Sequence, residues 1–101
     1  MARYVQSGSL TNAFVALFTI PNTPSLLVSN FHLTTSAASN VSICIAPIGT
    51  PASASNAILW TYAVGNDSIL DIFSGGIMGP NDVCWGLSTG ACAWRVSGDL
   101  T

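Results

Sequence analysis

Val41-Ser42-Ile43-Cys44-Ile45-Ala46 sets a branched aliphatic at every second position, with small side chains between. A period of two marks a β-strand with one face turned to a core. Ala57-Ile58-Leu59-Trp60-Thr61-Tyr62-Ala63-Val64 repeats the pattern and puts Ile58, Trp60, Tyr62 and Val64 on one face. Pro47 to Asn56, rich in Pro, Gly and Ser, lies between the two runs as a loop. Strand, polar loop and strand in succession are the pattern of an antiparallel all-β fold.

Upstream, Leu26 to Thr34 reads as another strand, with looser alternation. The segment Phe14 to Ile20 is apolar on both faces, so it is central in a sheet or pressed against a neighbour. The overlapping run Ala13 to Ile20 also suits the apolar part of a signal peptide. It is short for that role, and Asn22, Thr23 and Pro24 follow without a small-residue cleavage site, so a buried strand is the better reading. Turn signals at Pro21–Pro24, Ser36–Asn40, Gly65–Asp67, Gly75–Gly76 and Gly79–Asp82 recur at the spacing of a sandwich or small barrel. Downstream, Ser88-Thr89-Gly90-Ala91 predicts a hairpin turn with Gly90 left-handed. The resulting register sets Trp85 opposite Trp94, Val83 opposite Val96, and Cys84 opposite Arg95.

The chain has 101 residues, of which half are apolar and only 6% charged. The charged residues are Arg3, Arg95, Asp67, Asp71, Asp82 and Asp99; lysine and glutamate are absent. Two arginines do not neutralise a run of phosphates, which removes the main energetic term of nucleic-acid binding. The same scarcity leaves no basic cluster for an anionic membrane surface, and no apolar run approaches a membrane helix. A net charge of −2 gives weak self-repulsion, so part of the surface is expected to be covered by other subunits. The length suits a single domain over residues 1–101, with 1–11 as an extended N-terminal arm.

Reactive-group patterns are sparse. Gly86-Leu87-Ser88-Thr89-Gly90 matches the nucleophile-elbow pattern, but that motif needs a following helix and a later histidine, and neither follows. His32, the only histidine, reads as a surface or hydrogen-bonded side chain rather than a metal ligand. Asp67 and Asp71 read as turn and edge aspartates in preference to a calcium site. Three cysteines, at 44, 84 and 92, form no C-x-x-C pair and read as buried free thiols.

Phe18-Thr19-Ile20-Pro21-Asn22-Thr23, then Leu27 to Thr34, resembles a pattern of small bacteriophage virion proteins. In it an aromatic-Thr-aliphatic-Pro step leads into a strand and a Thr/Ser/Asn turn. The likeness continues through Thr34–Asn40, Val41–Pro47, the Gly49–Asn56 loop and the closing Val96-Ser97-Gly98-Asp99. The family's acidic Gly-Asp-x-Leu-Glu segment has only Asn66-Asp67-Ser68-Ile69-Leu70-Asp71 in its place. The resemblance implies a β-sandwich or jelly-roll-like component of a phage head, neck or tail.

The expected fold is a single antiparallel, jelly-roll-like β-sandwich of seven or eight strands. The expected role is non-enzymatic: a capsid decoration or cement subunit in a virion assembled in the host cytoplasm. Its partners would be the major capsid protein or other virion subunits and further copies of itself, as a trimer by likeness to decoration proteins. No catalytic, metal or cofactor site is expected. The apolar segment offers Phe14, Leu17, Phe18 and Ile20 as interface residues. A tail, neck, fibre or baseplate adaptor is the alternative within that class. A carbohydrate-binding module, stacking sugars on Trp60, Tyr62, Trp85 or Trp94, is the alternative outside it.

Overall fold

A computed structural model of the chain describes residues 2–21, 25–72 and 76–100. Nine strands follow in order: β1 (Ala2–Ser9), β2 (Val15–Thr19), β3 (Leu26–Thr35), β4 (Ser39–Pro47), β5 (Ala57–Val64), β6 (Ile69–Asp71), β7 (Ile77–Met78), β8 (Asp82–Ser88) and β9 (Cys92–Leu100). The only helix among the described residues is one 3-10 turn, Ala54–Asn56, ahead of β5. All pairings are antiparallel, and the strands form two sheets. One runs β1-β9-β3-β6, with β7 also paired to β3; the other runs β2-β8-β4-β5.

β6 and β7 pair with different stretches of β3, at His32–Thr34 and Leu26–Leu27, and so share one strand position. With them merged, the order is that of an eight-stranded jelly roll, two interlocked Greek keys folded into a double sheet. The strand count thus passes the expected seven or eight only because one position is divided.

The inner faces carry what the period-two reading demands. Val28, Phe31, Leu33 and Val96 from the first sheet meet Val41, Ile43 and Cys84 from the second, all fully buried. An aromatic cluster lies at the centre: Phe18 sits 5.5 Å from Trp94, 6.0 Å from Phe31 and 6.1 Å from Tyr4, centroid to centroid. Tilted rings at these separations set ring edges against ring faces, which their quadrupoles favour.

Two expectations are corrected. The β8–β9 hairpin does not form: β8 pairs with β2 and β4, while β9 pairs with β1 and β3. The Ser88–Ala91 link carries the chain from one sheet to the other, so Trp94 enters the core while Trp85 faces outward beside Cys44. Local alternation is identical for a hairpin and for such a crossover, which is why the register misleads. The second correction falls on β5. Its register to β4 slips between Val41 and Ile43, where Thr61 takes φ +45°. The bulge breaks the alternation, leaving Trp60 and Tyr62 exposed while Val64 stays buried. Residues 2–9, in the extended N-terminal segment, form a full strand paired to β9 along their length.

Candidate interaction surfaces

The two outward faces differ in chemistry. Cross-strand rows on the β1-β9-β3 sheet run Arg3–Asp99–Leu27–Ile77, Val5–Ser97–Asn30, Ser7–Arg95–His32–Asp71 and Ser9–Ala93–Thr34–Ile69. Four of the six charged residues, and the histidine, stand on this face. The imidazole Nδ1 of His32 lies 2.6 Å from Asn30 Oδ1, a hydrogen bond that orients the ring along its own strand. At one end of the face a cleft of about 490 Å³ opens between Ser9, Thr34, Ser36 and Ala93, lined by hydroxyls and by apolar groups, Leu10 among them, and by no charge.

The outward face of the β2-β8-β4-β5 sheet carries no charged side chain. Its rows are Ala16–Trp85–Cys44–Ala57 and Thr19–Val83–Ala46, with Leu87 beside Ser42. From the sheet's two edges Phe14 and Trp60 reach toward each other and stack, 5.9 Å between centroids and 16° between planes. The loop ahead of β5 folds back on this face, where the Cys44 thiol donates to the Ser53 carbonyl at 3.4 Å. Trp85 keeps its indole N–H buried without an acceptor among the described residues. The remaining charges lie off both faces. Asp67 sits exposed in the β5–β6 turn at φ +50°, and Asp82 accepts from the Gly79 N–H at 2.9 Å.

The four interface candidates divide. Phe18 and Ile20 are buried in the core. Leu17 is half-buried and packs against the same core, because a bulge between Ala16 and Phe18 turns both Leu17 and Phe18 inward. Only Phe14 reaches the outer face. The doubly apolar reading of Phe14–Ile20 misses this bulge, since no Gly or Pro marks it. The sugar-stacking candidates divide too: Trp94 is core, Trp85 half-buried, and Trp60 and Tyr62 are 45% and 49% exposed.

Ser88 cannot serve as an elbow nucleophile in this geometry. It is buried at the end of β8, its hydroxyl donates to the Gly90 carbonyl at 2.8 Å, and β9 follows in place of a helix. Cys44, Cys84 and Cys92 are buried free thiols. Burial pushes all three up from the ordinary thiol value, Cys84 furthest, with the Cys44 thiol adding to the shift. Thiols held protonated are poor nucleophiles and poor metal ligands. Among the described residues no three His, Cys, Asp or Glu side chains cluster as a metal site. Comparison with protein-family models, curated proteins and solved structures returns no match.

Proposed function

We propose that this chain is a non-enzymatic structural subunit of a bacteriophage particle, a capsid decoration protein that clamps neighbouring coat subunits. The observation that carries the reading is the division of charge between the two outward faces. A sheet face without charged side chains, roofed by Phe14 and Trp60, has the composition of an interface centre, rich in aromatics and depleted in charge. The opposite face, with Arg3, Arg95, His32, Asp71 and Asp99, suits water. The jelly roll is the domain of many virus capsids, which adds weight by analogy of fold alone. Buried free thiols fit assembly in a reducing cytoplasm.

The test is co-expression with the proteins encoded beside it, followed by sedimentation of the particles. The chain is expected to travel with particles in many copies and at a fixed ratio to the coat protein. Retention in the supernatant while the other virion proteins sediment overturns the proposal. A tail or neck location would show as a low, fixed copy number in the same experiment.

A second reading draws on Trp60, which has one ring face held by Phe14 and is still 45% exposed. A fixed, half-open indole is a stacking platform for a sugar ring, which suits host attachment. Glycan-array binding accompanied by quenching of tryptophan fluorescence, lost in Trp60→Ala, would favour that reading over cementing.

A further inference from the structure

We infer that the open edge of β1 is a self-association surface, where β1 of a second copy adds antiparallel and continues the sheet across two molecules. The inference deepens the many-copy reading above by naming the edge through which copies meet.

The argument starts from the hydrogen-bond parity of β1. The Leu10 N–H donates to the Cys92 carbonyl at 2.9 Å, in line with the register that pairs Gly8 with Trp94 and Gln6 with Val96. In an antiparallel ladder, residues that exchange hydrogen bonds alternate with residues whose N–H and C=O point away. Even-numbered residues of β1 therefore spend their backbone groups on β9. Arg3, Val5, Ser7 and Ser9 turn theirs to the open edge, and among the described residues β1 pairs with no strand but β9.

Sheet edges are commonly protected by shortness, bulges, proline or charge. Three of the four edges here carry such protection. β2 is interrupted by its bulge at Leu17, β5 slips register twice, and β6 and β7 have three and two residues. β1 has eight residues, no proline, no register shift and one charge, Arg3. Val5, at its middle, is 43% exposed.

A second copy of β1 fits this edge. With Gln6 opposite Gln6 of the other copy, Arg3 pairs with Ser9 and Val5 with Ser7, so every outward residue exchanges two hydrogen bonds. The two arginines then sit at opposite ends of the ribbon and do not repel, and each Val5 gains Ser7 of the other copy as its cross-strand neighbour. Identical strands meeting in this way close as a twofold pair. The contact is therefore twofold, where the resemblance to decoration proteins suggests three copies.

The isolated protein is to be examined by light scattering behind size exclusion over a dilution series, with amide hydrogen exchange at both ends of the series. The wild type is expected to form a dimer that dissociates on dilution, with the Val5 and Ser7 amides protected only in the dimer. Val5→Pro and Ser7→Pro each remove an edge-facing donor and leave the β9 ladder whole, so both should be monomeric with an unchanged circular dichroism spectrum. Gln6→Pro removes a donor that β9 needs and should lower the melting temperature instead. A wild type that is monomeric throughout overturns the inference. So does an oligomer that persists in the folded proline variants, which would move the contact to the uncharged face. Should both proline variants unfold, wild-type exchange decides: equally fast Val5 and Ser7 amides at high and low concentration overturn the inference. A monomer that still sediments with particles overturns the edge contact alone, and the proposed function stands.

Discussion

At the scale of single residues, the buried thiols give the protein a definite response to alkali. Cys84 is fully buried, and both desolvation and the neighbouring Cys44 thiol raise it above its ordinary value of 9.0. In the unfolded chain the thiol ionises near that ordinary value; in the folded chain it stays protonated to higher pH. The stabilisation is therefore complete below pH 9 and is lost as pH rises from there toward the folded value, by up to about 1.4 kcal/mol per pH unit for one such group. Cys44 and Cys92 shift in the same direction, burial again being the first cause. The urea midpoint should be level from pH 7 to 8.5, fall between pH 9 and 10.5, and fall less steeply in Cys84→Ala. A midpoint that stays level to pH 10.5 would contradict this account. The thiols' burial is legible in the sequence, because an odd cysteine count without paired spacing leaves small buried hydrophobes as the simplest role. Which face each thiol occupies is not, since that depends on which sheet β8 joins.

At the scale of strands, glycines show where packing tolerates no side chain. A Cβ on Gly98, in β9, would run into the Leu27 carbonyl oxygen of β3, beside the bulge at Ser29, and backbone there has nowhere to move. A Cβ on Gly86, in β8, would meet Leu10 Cδ2 at 2.6 Å and Leu17 Cδ1 at 2.9 Å, the ends of side chains that can turn aside. Gly86→Ala should cost about 1–3 kcal/mol, the usual range for an overfilled core, and Gly98→Ala more than that. Chemical denaturation ranks the two, and a smaller loss for Gly98→Ala would refute the steric argument. Six of the strands are readable in the sequence as alternating or doubly apolar runs: β2, β3, β4, β5, β8 and β9. β1 is not, because Arg3-Tyr4-Val5-Gln6-Ser7-Gly8 buries little and relies on β9 for its order. β6 and β7 are too short to show a period. The bulges that bring Leu17 inward and leave Trp60 outside are equally silent, because each depends on a neighbour strand's register. Thr61 illustrates the difficulty: a β-branched residue at positive φ costs about 1–3 kcal/mol and is held there by the surrounding sheet. The Thr61 N–H donates to Ser42 Oγ at 2.9 Å, which secures the bulge to β4.

At the scale of the molecule, sparse charge in the sequence becomes one bare face and one charged face in the fold. The composition announces how few charges there are; only the jelly-roll strand order determines where they collect. If the bare face meets a coat subunit, a charge placed on it must be desolvated in the complex without a partner, whereas the same charge on the other face stays in water. Ala16 and Thr34 make the comparison direct. Both are exposed strand residues, Ala16 beside Trp85 on the uncharged face and Thr34 beside Ala93 on the charged one. Each substitution to aspartate should change stability by no more than about 0.5 kcal/mol, as surface replacements do. In the complex Ala16→Asp should cost at least about 2 kcal/mol of binding, the low end for an unpaired buried charge, which is a loss of more than about tenfold in affinity. Thr34→Asp should bind as the wild type does. The measurement is the fraction of each variant that sediments with particles lacking the native copy, taken over a concentration series. Equal binding by Ala16→Asp and wild type would remove the uncharged face as the coat contact, and a selective loss in Thr34→Asp would transfer that role to the charged face.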